Sequence, residues 1–420
     1  MADSEPFLNG VLEGERPVTG LGANRRAVSV DVFRGFSVCL MILVDYAGSI
    51  FPIIAHCPWN GLHLAEFVMP FFLFISGISA ALAYGKASDR VFATWKAMLR
   101  AIKLFLLGVL LQGGYFHGIT SLTYGVDLKR VRWLGILQRI SIGYVVAALC
   151  EIWLSCWNSG TRSLLRSYWR QWLVAVLLSG TYMGLSYFLY VPDWQYRVSK
   201  ETSLPSSSES DVYIVKCGVR GDVGPACNPA GMIDRFFLGI DHLYTKPFFR
   251  NLKECSSMDA TLPSWCHAPF DPEGILSSLI AAVVCIIGLE YGHVLAHKAD
   301  HKERLCNWCV ISALLFVLGV FLSLVVFWCA GIPINKSLYT ISYMSITTAF
   351  AGITFCGLYI LVDVYGWRRV VYPLEWAGAH SLAIFILFPS NLVPMAAQGL
   401  YWNAPHHNAV RWIVDRLVPR

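Results

Sequence analysis

Apolar runs of about 20 residues recur along almost the whole chain, and each is long enough to cross a lipid bilayer as a helix. We predict nine such spans, at about residues 32–54, 62–84, 101–117, 133–155, 171–191, 274–296, 308–329, 340–362 and 373–400. Only 14% of the residues are charged, against roughly 25% in soluble domains. The chain is therefore predicted to be an all-α, polytopic transmembrane helical bundle in a lipid bilayer, with one long lumenal loop.

The positions of Lys and Arg determine the predicted orientation, because short cytosolic loops are richer in these residues than short outer loops. With the N-terminus in the cytosol, fifteen Lys and Arg fall in inner segments and four in short outer loops. Residues 1–29 are polar and lack the pattern of a cleaved signal peptide, so we predict a disordered cytosolic tail. The membrane domain then covers residues 30–402, and residues 403–420 form a short C-terminal tail. The net charge of +6 does not indicate a nucleic-acid partner.

The longest polar segment, residues 192–273, falls on the outer side and contains Cys217, Cys227, Cys255 and Cys266. An oxidising compartment favours disulfides between these cysteines. Three pairings are possible, and the simplest joins Cys217 to Cys227 and Cys255 to Cys266, because each bond then closes a short loop. Free thiols are the alternative.

Ionisable residues are concentrated near the outer ends of the first, second and fourth spans. Asp45 lies about two-thirds of the way across the first span, and His56 lies in the loop that follows it. Glu66 and Arg139 lie in the outer parts of the second and fourth spans. Charge inside hydrocarbon is costly, so such residues indicate a functional site. The four residues are predicted to share a layer in the outer half of the membrane.

Asp45 and His56 are eleven residues apart and would stand ~16 Å apart on one unbroken helix. Pro52 disfavours a continuous helix between them. We therefore predict that the outer end of the span unwinds and that His56 folds back toward Asp45, since an imidazole held by a carboxylate is a common general base. Alternatively, Asp45 neutralises Arg139 and His56 is an interfacial loop residue. Glu66 is interpreted as a second acid or base, an orienting partner or a structural ion-pair residue.

At the inner face, Asp31 and Arg34 open the first span. The simplest interpretation is a helix start with Arg34 reaching the lipid headgroups. The functional alternative is phosphate binding by Arg34 together with Arg100 and Lys103, which would serve a phosphate-bearing cofactor.

Three other features are explained by architecture at least as well as by function. Trp59 is typical of the interfacial aromatic belt, and Asn60 with Gly61 is typical of a turn. The acids and Pro272 of residues 271–277 suit a helix start, although a site there is the alternative. His297, His301, Cys306 and Cys309 have spacings compatible with zinc, but their loop is very short, so no metal site is predicted.

Several motifs together resemble the heparan-alpha-glucosaminide N-acetyltransferase family. They are SVDVFRG at residues 29–35, LMILVDYAG at 40–48, HCPWNGLHLAEFVMPFFLFISG at 56–77, GILQRIS at 135–141, DPEGILS at 271–277, INKSLYTISY at 334–343 and WAGAHSLAIF at 376–385. The resemblance extends over about residues 26–400. The segments CGVRGDVGPACN and SWCHAPFDPEG are most similar to plant members.

This resemblance implies a transmembrane acetyl transfer, in which acetyl-CoA binds from the cytosol and an amino sugar or related glycan is acetylated in the lumen. The family's catalytic histidine matches His56, as general base or acetyl carrier. The assisting residue matches Asp45, where the animal enzyme has Asn. Asn60 or Arg139 would stabilise the tetrahedral oxyanion, and Trp59 and Glu66 complete the expected acceptor site. The resemblance also implies a lysosomal or vacuolar membrane, no metal, and a homodimer as an open alternative.

Two departures from the family pattern leave other functional classes open. The animal enzyme has an extra lumenal domain and one more span before the first motif, whereas this chain has a short tail there. The family core usually continues beyond the segment matching residues 411–417, whereas this chain stops at Arg420, which is compatible with a truncation. The alternatives are a proton-coupled secondary transporter and a non-catalytic truncated family member. The acceptor is left open, because plants are not expected to make heparan sulfate.

Overall fold

The computed structural model describes residues 27–48, 50–117, 123–126, 131–155, 167–197, 212–256, 263–324 and 332–388. Most of these residues are helical. The helices are α1 (Val28–Ala47), α2 (Val68–Tyr84), α3 (Arg90–Gly113), α4 (Ile136–Leu149), α5 (Trp169–Phe188), α6 (Pro229–Leu238), α7 (Lys253–Ser256), α8 (Ile275–His297), α9 (His301–Leu324), α10 (Ile341–Tyr359), α11 (Arg368–Ala379) and α12 (Ser381–Leu387). A 3-10 turn at Leu64–Phe67 precedes α2, and π turns at Cys150–Leu154 and Ile360–Val364 extend α4 and α10.

Helices lie in all nine predicted spans, but fewer of them have the length and composition of a membrane span. Within the described residues, five helical segments are long and apolar enough to cross a membrane, and the bent pair α11–α12 would be a sixth if it forms one span. The prediction of nine spans is therefore not confirmed. Charge is one reason, because α1 carries Asp31, Arg34 and Asp45. Residues 389–400 of the last predicted span and both predicted tails, apart from the start of α1, lie outside the described residues.

Helix α8 forms the centre of the bundle, and 89% of its most apolar 18-residue stretch is buried. It packs closely against α2 because both helices have glycine at the crossing. A Cβ atom on Gly77 would lie 2.0 Å from the carbonyl oxygen of Cys285, and one on Gly288 would lie 2.3 Å from that of Phe74. Small residues at a helix crossing let two backbones approach, which is the usual basis of packing between membrane helices.

The segment between α5 and α8 is the predicted long loop, and it folds into short elements. Strands β3 (Trp194–Arg197) and β4 (Val212–Val215) pair antiparallel, with Trp194 opposite Val215. Helix α6 begins where the Asn228 side chain accepts the backbone N–H of Gly231, with Pro229 at the first helical position. A second antiparallel pair, β1 (Gly114–His117) and β2 (Thr123–Val126), connects α3 to α4.

Both predicted disulfides are present in this loop segment. Cys217 is bonded to Cys227 and Cys255 to Cys266, with Cα–Cα distances of 5.5 and 5.6 Å. The pairing between cysteines ten and eleven residues apart is thus confirmed, and the free-thiol alternative is wrong.

Removing either disulfide is expected to lower the free energy of unfolding by about 2–4 kcal/mol, because the cross-link restricts the unfolded chain. The paired variants are Cys217→Ser with Cys227→Ser, and Cys255→Ser with Cys266→Ser. Thermal unfolding in detergent measures the effect, and Cys306→Ser is the control because Cys306 is a free, exposed cysteine. Unchanged melting of both paired variants would contradict the expectation.

Candidate functional site

A short irregular segment after α1 carries His56 and brings it beside the start of α2. The regular helix ends at Ala47, in agreement with the predicted unwinding of the outer end of the first span. Gly61 closes the segment with φ +138°, a conformation that favours glycine, and its N–H donates to the carbonyl of Ile334 at 2.9 Å. The segment is therefore attached to the chain before α10.

The imidazole of His56 has two polar partners, and both contact the same ring nitrogen. Its Nδ1 lies 3.2 Å from Oε1 of Glu66 and 2.9 Å from Nζ of Lys336. The ring of Phe248 lies 4.3 Å from the His56 ring, centroid to centroid. Within the described residues, no protein group hydrogen-bonds to Nε2 of His56, so this nitrogen is available to a substrate.

Glu66 is fixed from several directions. Its Oε1 accepts the backbone N–H of Cys57 at 3.2 Å, its Oε2 accepts that of His63 at 2.8 Å, and its carbonyl accepts the hydroxyl of Tyr343. Its side chain is only 1% exposed. Among the interpretations of Glu66 from the sequence, this geometry favours the orienting partner of His56.

The predicted contact between Asp45 and His56 does not occur among the described residues. Glu66 occupies the position expected of Asp45, because the 3-10 turn carries it back over the loop of His56. Asp45 lies in the last turn of α1, and its charge acts on Lys336 instead. Asp45 therefore belongs to the electrostatic surroundings of the site rather than to the contacts of the imidazole.

Lys336 is the site residue that the sequence did not single out. It follows the bridge in which Asn335 pairs antiparallel with Asn60, and Nδ2 of Asn335 donates to Oδ1 of Asn60 at 3.0 Å. The sequence could have indicated Lys336 only through its motif, INKSLYTISY at residues 334–343, which includes a short predicted outer loop. Lys336 is mostly buried, and burial lowers its pKa, while the charges of Glu66 and Glu273 oppose that shift.

The pKa of His56 is lowered as well. Burial is the main cause and the charge of Lys336 adds to it, whereas the hydrogen bond to Glu66 acts in the opposite direction. The imidazole is consequently neutral over a wider pH range than a free histidine. A neutral imidazole with one unengaged nitrogen can accept a proton or attack a carbonyl carbon.

Arg139 is buried below the site but is not paired with Asp45, so that structural alternative is wrong. Its guanidinium donates to the carbonyl of Pro272 and to Oγ of Ser277, and lies 4.9 Å from the ring centre of Tyr339. These two hydrogen bonds hold the guanidinium beside the start of α8. Its charge still acts on Lys336, as do the charges of Glu66 and Asp45. The shared layer in the outer half of the membrane stays a prediction.

Trp59 is buried and contributes to an aromatic wall beside His56. Its Nε1 donates to the carbonyl of Val223 at 3.0 Å, and its ring packs against Phe249 and Phe270. Trp59 therefore joins the His56 loop to the disulfide-bonded segment. Asn60 is exposed and adjoins the same loop, with its amide group directed by the bond from Asn335.

The predicted phosphate-binding residues are Arg34, Arg100 and Lys103. No contact among the described residues brings these three side chains together. Arg34 bonds to Asp31 at 2.9 Å and donates to Oγ of Ser79. Arg100 lies over the ring of Tyr144, and Lys103 is exposed on the same helix, α3. No group of three or more His, Cys, Asp or Glu side chains in the described ranges is arranged to hold a metal ion.

Asp234, in the disulfide-bonded segment between α5 and α8, allows the packing of that segment against α8 to be tested by its dependence on pH. It is 1% exposed, its Oδ1 accepts the N–H of Ile275 at 2.8 Å, and burial raises its pKa to about 7, against opposing charges from Arg139 and Arg235. The unfolded pKa is about 3.9, so between about pH 4 and 7 the folded protein holds more protons than the unfolded chain. Stability therefore falls as pH rises through this window.

Asp234→Asn is expected to remove this pH dependence while keeping the bond to Ile275. The slope of unfolding free energy against pH should differ from wild type by up to about 1.4 kcal/mol per pH unit. Thermal unfolding from pH 4.5 to 7.5 checks it. Parallel curves for the two proteins would show that Asp234 is not the proton-holding group.

Comparison with known proteins gives consistent results over most of the chain. Residues 26–189 match the catalytic model described as "Heparan-alpha-glucosaminide N-acetyltransferase, catalytic". Two proteins named heparan-alpha-glucosaminide N-acetyltransferase are similar: the mouse protein is 30% identical over 394 residues, and the human protein is 31% identical over 384 residues. These matches cover 88% and 86% of this chain. The chain spans about half the length of these relatives, 54% and 52%.

Proposed function

We propose that this chain is a membrane-embedded acetyltransferase of the heparan-alpha-glucosaminide N-acetyltransferase family, because residues 26–189 match the catalytic model of that family and the chain is 30% and 31% identical to two proteins of that name. It transfers an acetyl group from acetyl-CoA to an amino sugar or related glycan. The observation that carries the proposal is the His56–Glu66 pair, a half-buried imidazole on a fully buried carboxylate at one end of the bundle.

The proposed reaction begins with Nδ1 of His56 donating to Glu66, which leaves the lone pair of Nε2 free. Nε2 removes a proton from the acceptor amine as the amine nitrogen attacks the thioester carbonyl carbon. The tetrahedral intermediate collapses, the C–S bond breaks, and the CoA thiolate receives the proton. In the competing version, Nε2 itself attacks the thioester and His56 carries the acetyl group to the acceptor.

Two side chains are proposed to stabilise the oxyanion to different extents. Asn60 is exposed beside His56, and its amide oxygen is already occupied by Asn335, so its N–H₂ group can face a substrate. Arg139 is 1% exposed and donates to Pro272 and Ser277. It would therefore stabilise the oxyanion through its positive charge and not through a direct hydrogen bond. The geometry favours Asn60 as the donor.

The cofactor and the membrane follow from the family and the residue distribution. The proposed donor is acetyl-CoA, and Arg34, Arg100 and Lys103 remain its proposed phosphate contacts. We propose an endomembrane location, with the N-terminus cytosolic and the His56 site on the lumenal side. Trp59 and the disulfide-bonded segment are proposed to border the acceptor.

The test is transfer of labelled acetyl from acetyl-CoA to a panel of amino sugars by the detergent-purified protein. Labelled N-acetyl sugar that forms only with protein and acceptor present is the expected result. Absence of transfer to every acceptor, by protein that still unfolds cooperatively, would overturn the proposal.

One observation favours a second candidate, a proton-coupled transporter. At the end of α8 far from His56, Nε2 of His293 lies 2.7 Å from Oε2 of Glu151, and Glu290 lies 3.7 Å from Nδ1. All three side chains are at most 3% exposed inside the bundle. Buried ionisable clusters of this kind occur in proton relays. Proton-dependent sugar flux into liposomes without acetyl-CoA would favour this candidate.

A further inference from the structure

Lys336 and Glu66 make opposite demands on one nitrogen of His56. A carboxylate only accepts hydrogen bonds, whereas an ammonium only donates them. Nδ1 can donate to Glu66 at 3.2 Å only when it carries a proton, and it can accept from Lys336 at 2.9 Å only when it does not. The contact with Lys336 therefore depends on where the protons of these side chains are.

A doubly protonated imidazole is incompatible with the observed contact to a charged Lys336. The imidazolium carries N–H on both nitrogens, so it would direct an N–H group toward an ammonium 2.9 Å away. The close contact survives with a neutral imidazole and an ammonium, or with an imidazolium and a neutral amine. In either case the two side chains hold one proton fewer than an imidazolium and an ammonium would hold together.

The backbone beside Lys336 is held close to the loop of His56. Its neighbour Asn335 is bridged to Asn60, and the N–H of Asn335 donates to Oγ1 of Thr340 at 3.2 Å. The ammonium also lies 5.9 Å from the ring centre of Phe248, which packs on His56. The two loops that carry the lysine and the histidine are thus tied together.

The charged groups around the pair retain a cation at this position. Glu66 lies 3.9 Å from Nζ of Lys336, and the charges of Glu273 and Asp45 also favour the ammonium, while that of Arg139 opposes it. Glu66 and Glu273 also favour a charged His56, so these acids do not choose between the two side chains. An ammonium keeps its proton to a pH about four units higher than an imidazolium does. The lysine is therefore the group that keeps the positive charge, and the imidazole is the group that stays neutral.

We infer that Lys336 is a positioning residue whose charge keeps His56 neutral under acidic conditions. A neutral imidazole that accepts from the ammonium carries its proton on Nε2, so the proposed reaction requires that proton to shift to Nδ1, toward Glu66, as the hydrogen bond from Lys336 is released. The inference rests on the proposed function for its consequence in catalysis. Its physical content concerns only the two side chains and can be measured without turnover.

The decisive variant is Lys336→Met, which keeps the length of the side chain and removes the charge. The pH at which His56 becomes half-protonated is expected to rise by about 1 unit or more, because the like charge that opposes protonation is gone. Lys336→Arg retains a cation and should stay within a few tenths of a unit of wild type. Lys246→Met, at an exposed lysine of the disulfide-bonded segment between α5 and α8, is the matched control.

Two readouts separate this inference from the proposed function. The first is the rate of His56 modification by diethyl pyrocarbonate against pH, followed by peptide mass spectrometry, since only the unprotonated imidazole reacts. The second is the acid limb of kcat/KM for acetyl transfer. A shifted modification profile without transfer in wild type would support the inference and contradict the proposed function.

Transfer by wild type, with identical pH profiles in wild type and Lys336→Met, would overturn the inference and leave the function standing. A structural role alone would lower stability or rate without moving the pH profile. Should Lys336→Met fail to fold, Lys336→Met with Glu273→Gln restores the local charge balance. That double variant is then compared with Glu273→Gln alone, and equal profiles would again overturn the inference.

Discussion

His56→Ala is expected to lower kcat for acetyl transfer by roughly 10²–10⁴-fold, the usual contribution of a general base. The reason is that Nε2 of this residue is the free nitrogen of an imidazole fixed at Nδ1 by Glu66. Labelled acetyl transfer to the acceptor identified for wild type measures the loss. Cooperative thermal unfolding of the variant shows that any loss of activity occurs in folded protein.

The matched control for this experiment is His267→Ala. His267 is exposed in the disulfide-bonded segment between α5 and α8, and no role in the site is proposed for it. Its removal should leave kcat within about twofold of wild type, as expected of a surface substitution. Activity retained in His56→Ala would remove His56 from the mechanism and with it the proposed site.

The two versions of the mechanism differ in what accumulates without acceptor. An acetyl carrier would give wild type an acetylated peptide containing His56 after incubation with acetyl-CoA, and His56→Ala would lack it. A general base would give no such adduct. Mass spectrometry of rapidly quenched protein distinguishes these outcomes.

Arg132→Met is expected to lower the free energy of unfolding by about 3–5 kcal/mol, because it leaves buried carboxylates without their cation. Nε of Arg132 donates to Oδ2 of Asp271 at 2.8 Å, and the guanidinium also contacts Glu273. Asp271 is 1% exposed and Glu273 is 8% exposed. The Arg132 guanidinium therefore lies beside the start of α8, where Arg139 donates to Pro272 and Ser277.

Thermal unfolding in detergent measures this loss, with Arg197→Met as the matched control. Arg197 is exposed on β3, so its replacement should change stability by at most about 0.5 kcal/mol. Combining Arg132→Met with Asp271→Asn should recover part of the loss, since one uncompensated charge is then removed. Equal stability of Arg132→Met and wild type would show that water, rather than the arginine, compensates these acids.

Features with a local cause were predicted correctly. The apolar helices follow from runs of about 20 residues, which need no tertiary information. The disulfide pairings were recognised because each joins cysteines at most eleven residues apart. The number of membrane crossings did not follow, because charge within a helix such as α1 makes a span ambiguous.

The sequence by itself determined that this chain is helical, has apolar segments long enough to cross a membrane, carries two short-range disulfides and has a histidine near several ionisable residues. Only the tertiary structure decided which groups hold that histidine. Asp45 was the carboxylate expected, yet Glu66 and Lys336 make the contacts, and Lys336 is 280 residues away in the chain. The physical reason is that these contacts depend on the path of two loops. The positive φ of Gly61 and the bridge from Asn60 to Asn335 set that path, and no periodicity in the sequence encodes it.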